Sequence, residues 1–308
     1  MNTSPCFPST WSRSKTLLAT VWVFVAGVAL GAETPPPPPP LPPLTTVSGS
    51  PRLPGKFVWA DLVTDDVAAA RKFYGGLFNW TFREAGIYTI ASNDERPLCG
   101  IFRQAKSSTR PEAKARWFGY VSVKNVEKAG RAVTKAGGRV LVGLQKLPQR
   151  GEQAIFTDPE GVVFGVVRSS AGDPPDFLAE PGDWIWIQHL SRDAKKAAEF
   201  YRKIGGYDVV ENDLKGASDY VLVSDGYARA AMRTIRGGNP QVQPIWLPFV
   251  RVKNLGQSLA STKELGGAVQ IAPKPELFDG KVAMISDPTG AAIGLMEWSS
   301  ADLNKGVK

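Results

Sequence analysis

The chain contains two copies of one pattern, and this duplication constrains its fold more than any other feature. Asp158-Pro159-Glu160-Gly161 returns as Asp287-Pro288-Thr289-Gly290. Each copy is typical of a tight turn before a strand, because proline presets φ and the glycine two residues later tolerates positive φ. Trp59 and Trp186 also match, so the offset is 127 residues at the tryptophans and 129 at the turns. Such close agreement predicts a tandem repeat of one domain.

Each copy is predicted to contain two units of one strand, one helix and three strands. In the first copy, Phe57–Thr64 is strand-like, and Asp65 and Asp66 can cap a helix that runs to Phe78. Asn125 can cap a second helix, which the glycine pair 137–138 ends. With 308 residues, of which 43% are hydrophobic, the chain is long enough for two domains with cores of their own.

These patterns resemble the glyoxalase/bleomycin resistance/extradiol dioxygenase superfamily, whose members are also called vicinal oxygen chelate proteins. The resemblance rests on the paired βαβββ units, the pairs Phe73-Tyr74 and Phe200-Tyr201 on the first helix of each copy, and the Asp-Pro-x-Gly turns. The opening Trp-x-x-Leu-x-Thr-x-Asp, residues 59–66, is similar to that of two-domain members. The resemblance covers residues 55–298. It implies an α+β fold in which each domain joins its two units into a curved, mostly antiparallel sheet around a cavity.

Metal-dependent members of this superfamily hold a divalent ion with His or Glu side chains in that cavity. The corresponding positions here are Trp59, Phe118 and Gly165 in the first copy, and Trp186, Leu247 and Gly294 in the second. Divalent first-row metals need imidazole, carboxylate or thiolate donors, and the fourth strands add only Cys99. We therefore predict that the protein uses no metal and no other cofactor. His189 lies on the opposite strand face from Trp186, which favours a structural or surface role.

Strand alternation instead predicts two aromatic cavities that bind a small aromatic or apolar molecule. The expected ligand-binding residues are Trp59, Asp61, Phe118, Tyr120 and Gly165 in the first domain, and Trp186, Gln188, Leu247, Phe249 and Gly294 in the second. The glycines are expected to leave space, and a cationic ligand could use Trp59 with Asp61. Two alternatives stay open, namely aromatic side chains that simply fill the cavities of an interaction module, and an enzyme of the lyase, isomerase or dioxygenase type. No catalytic residue is identified, although Asp61 and Tyr120 could take part in proton transfer.

The N-terminal segment is typical of an export signal. Arg13 and Lys15 precede the uncharged apolar run 17–32, which ends in small residues. Because the run is shorter than the roughly 20 residues of a membrane span, we predict cleavage and a periplasmic or secreted protein. Anchoring in the membrane by residues 17–32 is the alternative.

Domain boundaries follow from composition and from the repeat. The run Pro35–Pro40 predicts a stiff linker after the signal. The predicted segments are a signal peptide at 1–32, a proline-rich linker at 33–54, domains at 55–169 and 183–299 joined by a linker at 170–182, and a tail at 300–308.

The formal charge of +8 is concentrated in the first domain. From Arg96 to Arg150 there are 13 basic residues and two acidic ones. Lys128, Arg131 and Lys135 form a stripe on the second helix that could meet an anionic surface such as a membrane. Alternatively, these basic side chains simply form the solvent-exposed face of the helix. Since an exported chain does not meet nucleic acid, the expected partner is a small-molecule ligand, and the expected assembly is a monomer or homodimer.

Overall fold

The computed structural model describes residues 41–47, 49–104, 115–212, 219–235 and 242–298. The predicted signal peptide, the run of six prolines and the C-terminal tail lie outside these ranges. In the part of the chain that the structure describes, no helix is long and apolar enough to cross a membrane.

The first domain follows the predicted order of elements. Asp66 caps its first helix by accepting a hydrogen bond from the backbone N–H of Ala69, and Asn125 caps the second through Lys128. The elements are β1 (Phe57–Thr64), α1 (Val67–Phe78), β2 (Thr81–Ala85), β3 (Tyr88–Asn93), β4 (Arg96–Arg103), β5 (Arg116–Ser122), α2 (Val126–Lys135), β6 (Arg139–Leu147), β7 (Gly151–Thr157) and β8 (Val163–Ser169).

The second domain repeats this order and adds one turn of 3₁₀-helix, Phe278–Gly280, before its seventh strand. Its elements are β9 (Trp184–Ser191), α3 (Ala194–Gly205), β10 (Asp208–Glu211), β11 (Tyr220–Ser224), β12 (Tyr227–Thr234), β13 (Ile245–Val252), α4 (Leu255–Glu264), β14 (Ala268–Ile271), β15 (Val282–Ser286) and β16 (Ala292–Glu297).

Each domain forms one mixed sheet of eight strands. The first sheet has the order β2-β3-β4-β1-β5-β8-β7-β6, and the second has the same order with its own strands. In the first sheet, β1 pairs with β4 and β5 pairs with β8 in parallel, while the other pairings are antiparallel. The α+β fold with tandem, mostly antiparallel sheets is therefore confirmed.

The main hydrophobic cores are shared between the domains. One core joins Val133 of α2 and Phe164 of β8 to Phe200 of α3. The other joins Phe73 of α1 to Ile285 of β15, among others. Since each core takes side chains from both domains, the two domains stabilise each other.

The two repeated motifs meet across the domain interface. The Tyr201 hydroxyl donates a hydrogen bond of 3.0 Å to Asp158 Oδ2, and the Tyr74 hydroxyl donates one of the same length to Asp287 Oδ2. The other oxygen of each aspartate accepts backbone N–H groups of its own turn. The turn aspartates thus shape the last strand and also hold the domains together.

Candidate functional site

Strand register brings together the five residues predicted to bind a ligand in the first domain. Trp59 lies opposite Tyr120, and Tyr120 lies opposite Gly165. Asp61 lies opposite Phe118. Tyr120, and not Phe118, therefore shares a cross-strand row with Trp59 and Gly165. All five residues are buried.

The space expected beside the two glycines is filled by aromatic rings, so that prediction was wrong. A Cβ atom added to Gly165 would lie 2.2 Å from the Tyr120 ring. A Cβ atom on Gly294 would lie 2.3 Å from the Phe249 ring. In both domains the missing side chain lets a ring from the neighbouring strand occupy the position.

A buried polar cluster surrounds Asp61. Its Oδ1 accepts hydrogen bonds from Trp59 Nε1 at 3.0 Å and from the Tyr88 hydroxyl at 2.6 Å. Burial raises the pKa of Asp61, and nearby Arg150 and the bond from Tyr88 partly offset this rise. The Arg150 guanidinium carbon lies 4.7 Å from the centre of the Trp59 ring. The place foreseen for a cationic ligand is thus taken by the protein's own Arg150.

The N-terminal segment 41–47 covers this cluster. Leu41 and Leu44 are 4% and 1% exposed and join the same hydrophobic cluster as Trp59. Arg150 Nε donates a hydrogen bond of 2.7 Å to the Pro42 carbonyl oxygen. Residues 41–47, which fall within the predicted proline-rich linker over 33–54, therefore pack on the first domain, because the two leucines bury apolar surface there.

A cleft of about 710 Å³ lies where the second domain, the interdomain linker and the first domain meet. Of the ten predicted ligand-binding residues, only Trp59 and Trp186 line it. Its apolar and aromatic wall includes Phe57, Phe177, Leu178, Trp184, Trp186, Phe278, Met296 and Trp298.

The remaining predicted residues of the second domain do not line this cleft. Phe249 lies opposite both Trp186 and Gly294, as Tyr120 does in the first domain. Gln188 lies opposite Leu247, and both are 4% exposed. Only Trp186 of this set therefore stands where a molecule in the cleft could contact it.

One side of the cleft is polar, and sequence reasoning missed it. Lys56, Asp176 and Arg229 line this side. Asp176 Oδ1 lies 3.0 Å from Lys56 Nζ and 2.7 Å from Arg229 Nη1. Burial acts to raise the pKa of Asp176, but the hydrogen bonds from Arg229 and Lys56 outweigh it and leave the pKa lowered. Burial lowers the pKa of Lys56 despite the bond to Asp176.

Comparison with known sequences finds similarity in the first domain and along most of the chain. Residues 56–166 match the profile of the Glyoxalase/Bleomycin resistance protein/Dioxygenase superfamily. The first domain is thus similar to this superfamily, and the second domain repeats its strand order. The anthracycline biosynthesis protein DauV of Streptomyces sp. strain C5 is 29% identical over 80% of this chain and 95% of its own. The putative glyoxylase CFP32 of Mycobacterium bovis is 25% identical over 78% of this chain and 93% of its own.

Two solved structures share the fold at low sequence identity. The Mn(II)-bound glyoxalase of Novosphingobium aromaticivorans is 15% identical, with a TM-score of 0.55 over 80% of this chain and 82% of that one. The 2,3-dioxygenase LapB of Pseudomonas sp. KL28 is 12% identical, with a TM-score of 0.54 over 80% of this chain and 94% of that one. These similarities show a shared fold.

The residues at the superfamily's metal position do not fit a divalent ion. The row across β1, β5 and β8 consists of Trp59, Tyr120 and Gly165, which offer no imidazole or carboxylate donor. Asp61 in the next row is one carboxylate, already bonded to two donors and close to Arg150.

Asp158, Glu160 and His189 are the one group among the described residues whose donor atoms lie close enough to hold a metal. Their hydrogen bonds favour a structural role instead. His189 Nε2 lies 2.9 Å from Asp158 Oδ2, and the Glu160 carboxylate accepts bonds from the Ser191 hydroxyl and the Arg192 N–H. His189 is fully buried in the domain interface.

Proposed function

We propose that this protein binds one small, planar and largely apolar molecule in the interdomain cleft, without a metal ion. One contrast carries the proposal. The first domain's cavity is filled by Tyr120, Arg150 and segment 41–47, whereas the cleft of about 710 Å³ remains open and has aromatic walls. That volume lies within the roughly 300–1,000 Å³ of ordinary small-molecule sites.

The filled first cavity supports a structural role for that domain. Asp61 and Tyr120, the two groups considered for proton transfer, are buried beneath segment 41–47. A catalytic acid or base must come within hydrogen-bond distance of its substrate. We therefore assign no reaction step to them and favour binding over catalysis.

The names of the relatives suggest a first probe. DauV and the Streptomyces peucetius protein DnrV are both called anthracycline biosynthesis proteins. Anthracyclines are flat polycyclic aromatic compounds, and flat rings stack well on tryptophan.

We expect an anthracycline aglycone, which carries no amino sugar and so no ammonium group, to bind the purified protein with one molecule per chain, measured by fluorescence titration. Trp186→Ala should weaken binding at least about tenfold, because it removes a large aromatic wall. Ile87→Ala is the control, since this exposed residue of the first domain does not line the cleft and should leave binding unchanged.

Metal independence is tested in the same titration. Protein treated with a chelator should bind as tightly as untreated protein. A loss of binding that added Mn²⁺ or Fe²⁺ restores would contradict this part of the proposal. Equal binding by wild type and Trp186→Ala would contradict the cleft as the site.

We also propose that the protein acts outside the cytoplasm, on the strength of Arg13, Lys15 and the apolar run 17–32. The mature protein should begin close to residue 32 in N-terminal sequencing of the exported fraction. Retention of the full N-terminus in a membrane fraction would favour the anchored alternative. The exposed stripe of Lys128, Arg131 and Lys135 would then face a nearby membrane surface.

A further inference from the structure

Resting on the binding role proposed above, we infer that the cleft selects planar aromatic molecules that carry a negative charge, and that Arg229 recognises this charge. Among the described residues, the ionisable side chains that line the cleft are Lys56, Asp176 and Arg229. Two cations therefore share one carboxylate on a wall that is otherwise largely apolar. Charges in such surroundings are costly unless they are paired.

Lys56 already has its partners. Its ammonium group donates to the carbonyl oxygens of Pro174 at 2.7 Å and Pro175 at 2.9 Å, and it pairs with Asp176 at 3.0 Å. An ammonium group has three N–H donors, so these contacts use all of them. Asp173 also favours the charged form of Lys56. Lys56 therefore has little hydrogen-bonding capacity left with which to recognise a ligand.

Arg229 has donors to spare. Its side chain is only 7% exposed, and its Nη1 donates to Asp176 at 2.7 Å. Among the residues that the structure describes, its buried Nε has no hydrogen-bond partner. A guanidinium group carries five N–H donors in a plane, which suits the two oxygens of a carboxylate. A ligand anion beside Arg229 would complete the pairing that Asp176 provides only in part.

The aromatic wall by itself would also accept a cationic ligand. The ligand charge that the cleft prefers therefore depends on its ionisable side chains as well as on its rings. Trp184, Trp186 and Trp298 line the cleft and could attract a cationic ligand through their ring faces. That attraction is opposed here by Lys56 and Arg229 on the same wall. The positive side chains therefore favour an anion over a neutral or cationic molecule with the same ring.

Three probes with one ring system test this inference on the whole protein: naphthalene-2-carboxylate, naphthalene-2-carboxamide and 2-naphthylmethylammonium. At pH 7 and low salt, calorimetry should show the carboxylate binding about tenfold more tightly than the amide, because a charge-assisted bond replaces a neutral one. The ammonium probe should bind most weakly.

Arg229→Gln should remove the preference by weakening the carboxylate about tenfold while changing the amide little. Arg229→Lys should retain part of the preference, since it keeps the charge but loses the planar donors. Arg131→Gln is the control, because its exposed side chain on α2 lies on no wall of the cleft.

The possible results distinguish a failure of this inference from a failure of the proposed binding role. Equal binding of carboxylate and amide to wild type would overturn the choice of an anion and leave the binding role intact. A carboxylate preference that survives in folded Arg229→Gln would overturn the role of Arg229. If neither these probes nor an anthracycline aglycone binds, both the binding role and this inference fail.

Discussion

At the scale of single residues, two glycines decide what each domain's cavity holds. The resemblance implies a metal ligand at the positions of Gly165 and Gly294, and each glycine allows a neighbouring ring to close over it. The sequence correctly indicates that no carboxylate projects from these positions. It does not indicate that the vacated volume is filled, because the rings of Tyr120 and Phe249 reach it from other strands.

Gly165→Ala should therefore destabilise the protein by about 2 kcal/mol or more, since the new methyl group overlaps the Tyr120 ring. Gly143→Ala is a matched control in the same sheet, because its added Cβ meets nothing within 4 Å. It should change the free energy of unfolding by less than about 1 kcal/mol. Equal effects in urea denaturation would contradict the packing described here.

Other residues of the first cavity were not predictable from their sequence neighbourhood. Tyr88 follows a glycine turn, and Arg150 lies in the turn between β6 and β7. Neither belongs to a motif. Both contribute to the cluster around Asp61 only through the tertiary structure, since β4 separates β3 from β1, and β5 and β8 separate β7 from β1 in the sheet.

At the scale of elements, segment 41–47 behaves as part of the first domain. Composition predicts an extended linker, since prolines cannot form helix or inner strand. Leu41 and Leu44 lie beside those prolines, and their burial outweighs the tendency of the segment to remain a free spacer. Apolar residues within a proline-rich stretch were the available indication of this contact.

Leu44→Ala should lower the free energy of unfolding by about 2–3 kcal/mol, because Leu44 is 1% exposed. It should also increase hydrogen exchange and proteolysis in residues 41–47. Val47→Ala is the control, since Val47 is 52% exposed and its truncation should have little effect. An unchanged exchange rate in Leu44→Ala would show that Leu44 does not hold the segment.

At the scale of the whole molecule, the two domains are not independent. α2 packs on α3 and α1 packs on α4, so each main core crosses the domain boundary. Tyr74 and Tyr201 add buried hydrogen bonds across the same interface. This arrangement also creates the cleft, because its walls come from both domains and the linker between them.

We expect calorimetry to show one cooperative unfolding transition for the whole protein, with equal calorimetric and van't Hoff enthalpies. Tyr201→Phe should lower the midpoint of that single transition, because it leaves buried partners without a hydrogen bond. Two separated transitions, with only one affected by Tyr201→Phe, would contradict the shared cores.

The sequence by itself determined the repeat, the order of helices and strands, and the resemblance of the chain to the superfamily. These features depend on residue spacing, helix caps and turn residues, all of which act locally. Only the tertiary structure decided that the first cavity is filled, that the turn aspartates bridge the domains, and that an open cleft joins Lys56, Asp176 and Arg229. Those contacts link residues more than 40 positions apart, and the way sheets and domains pack is what brings such residues together.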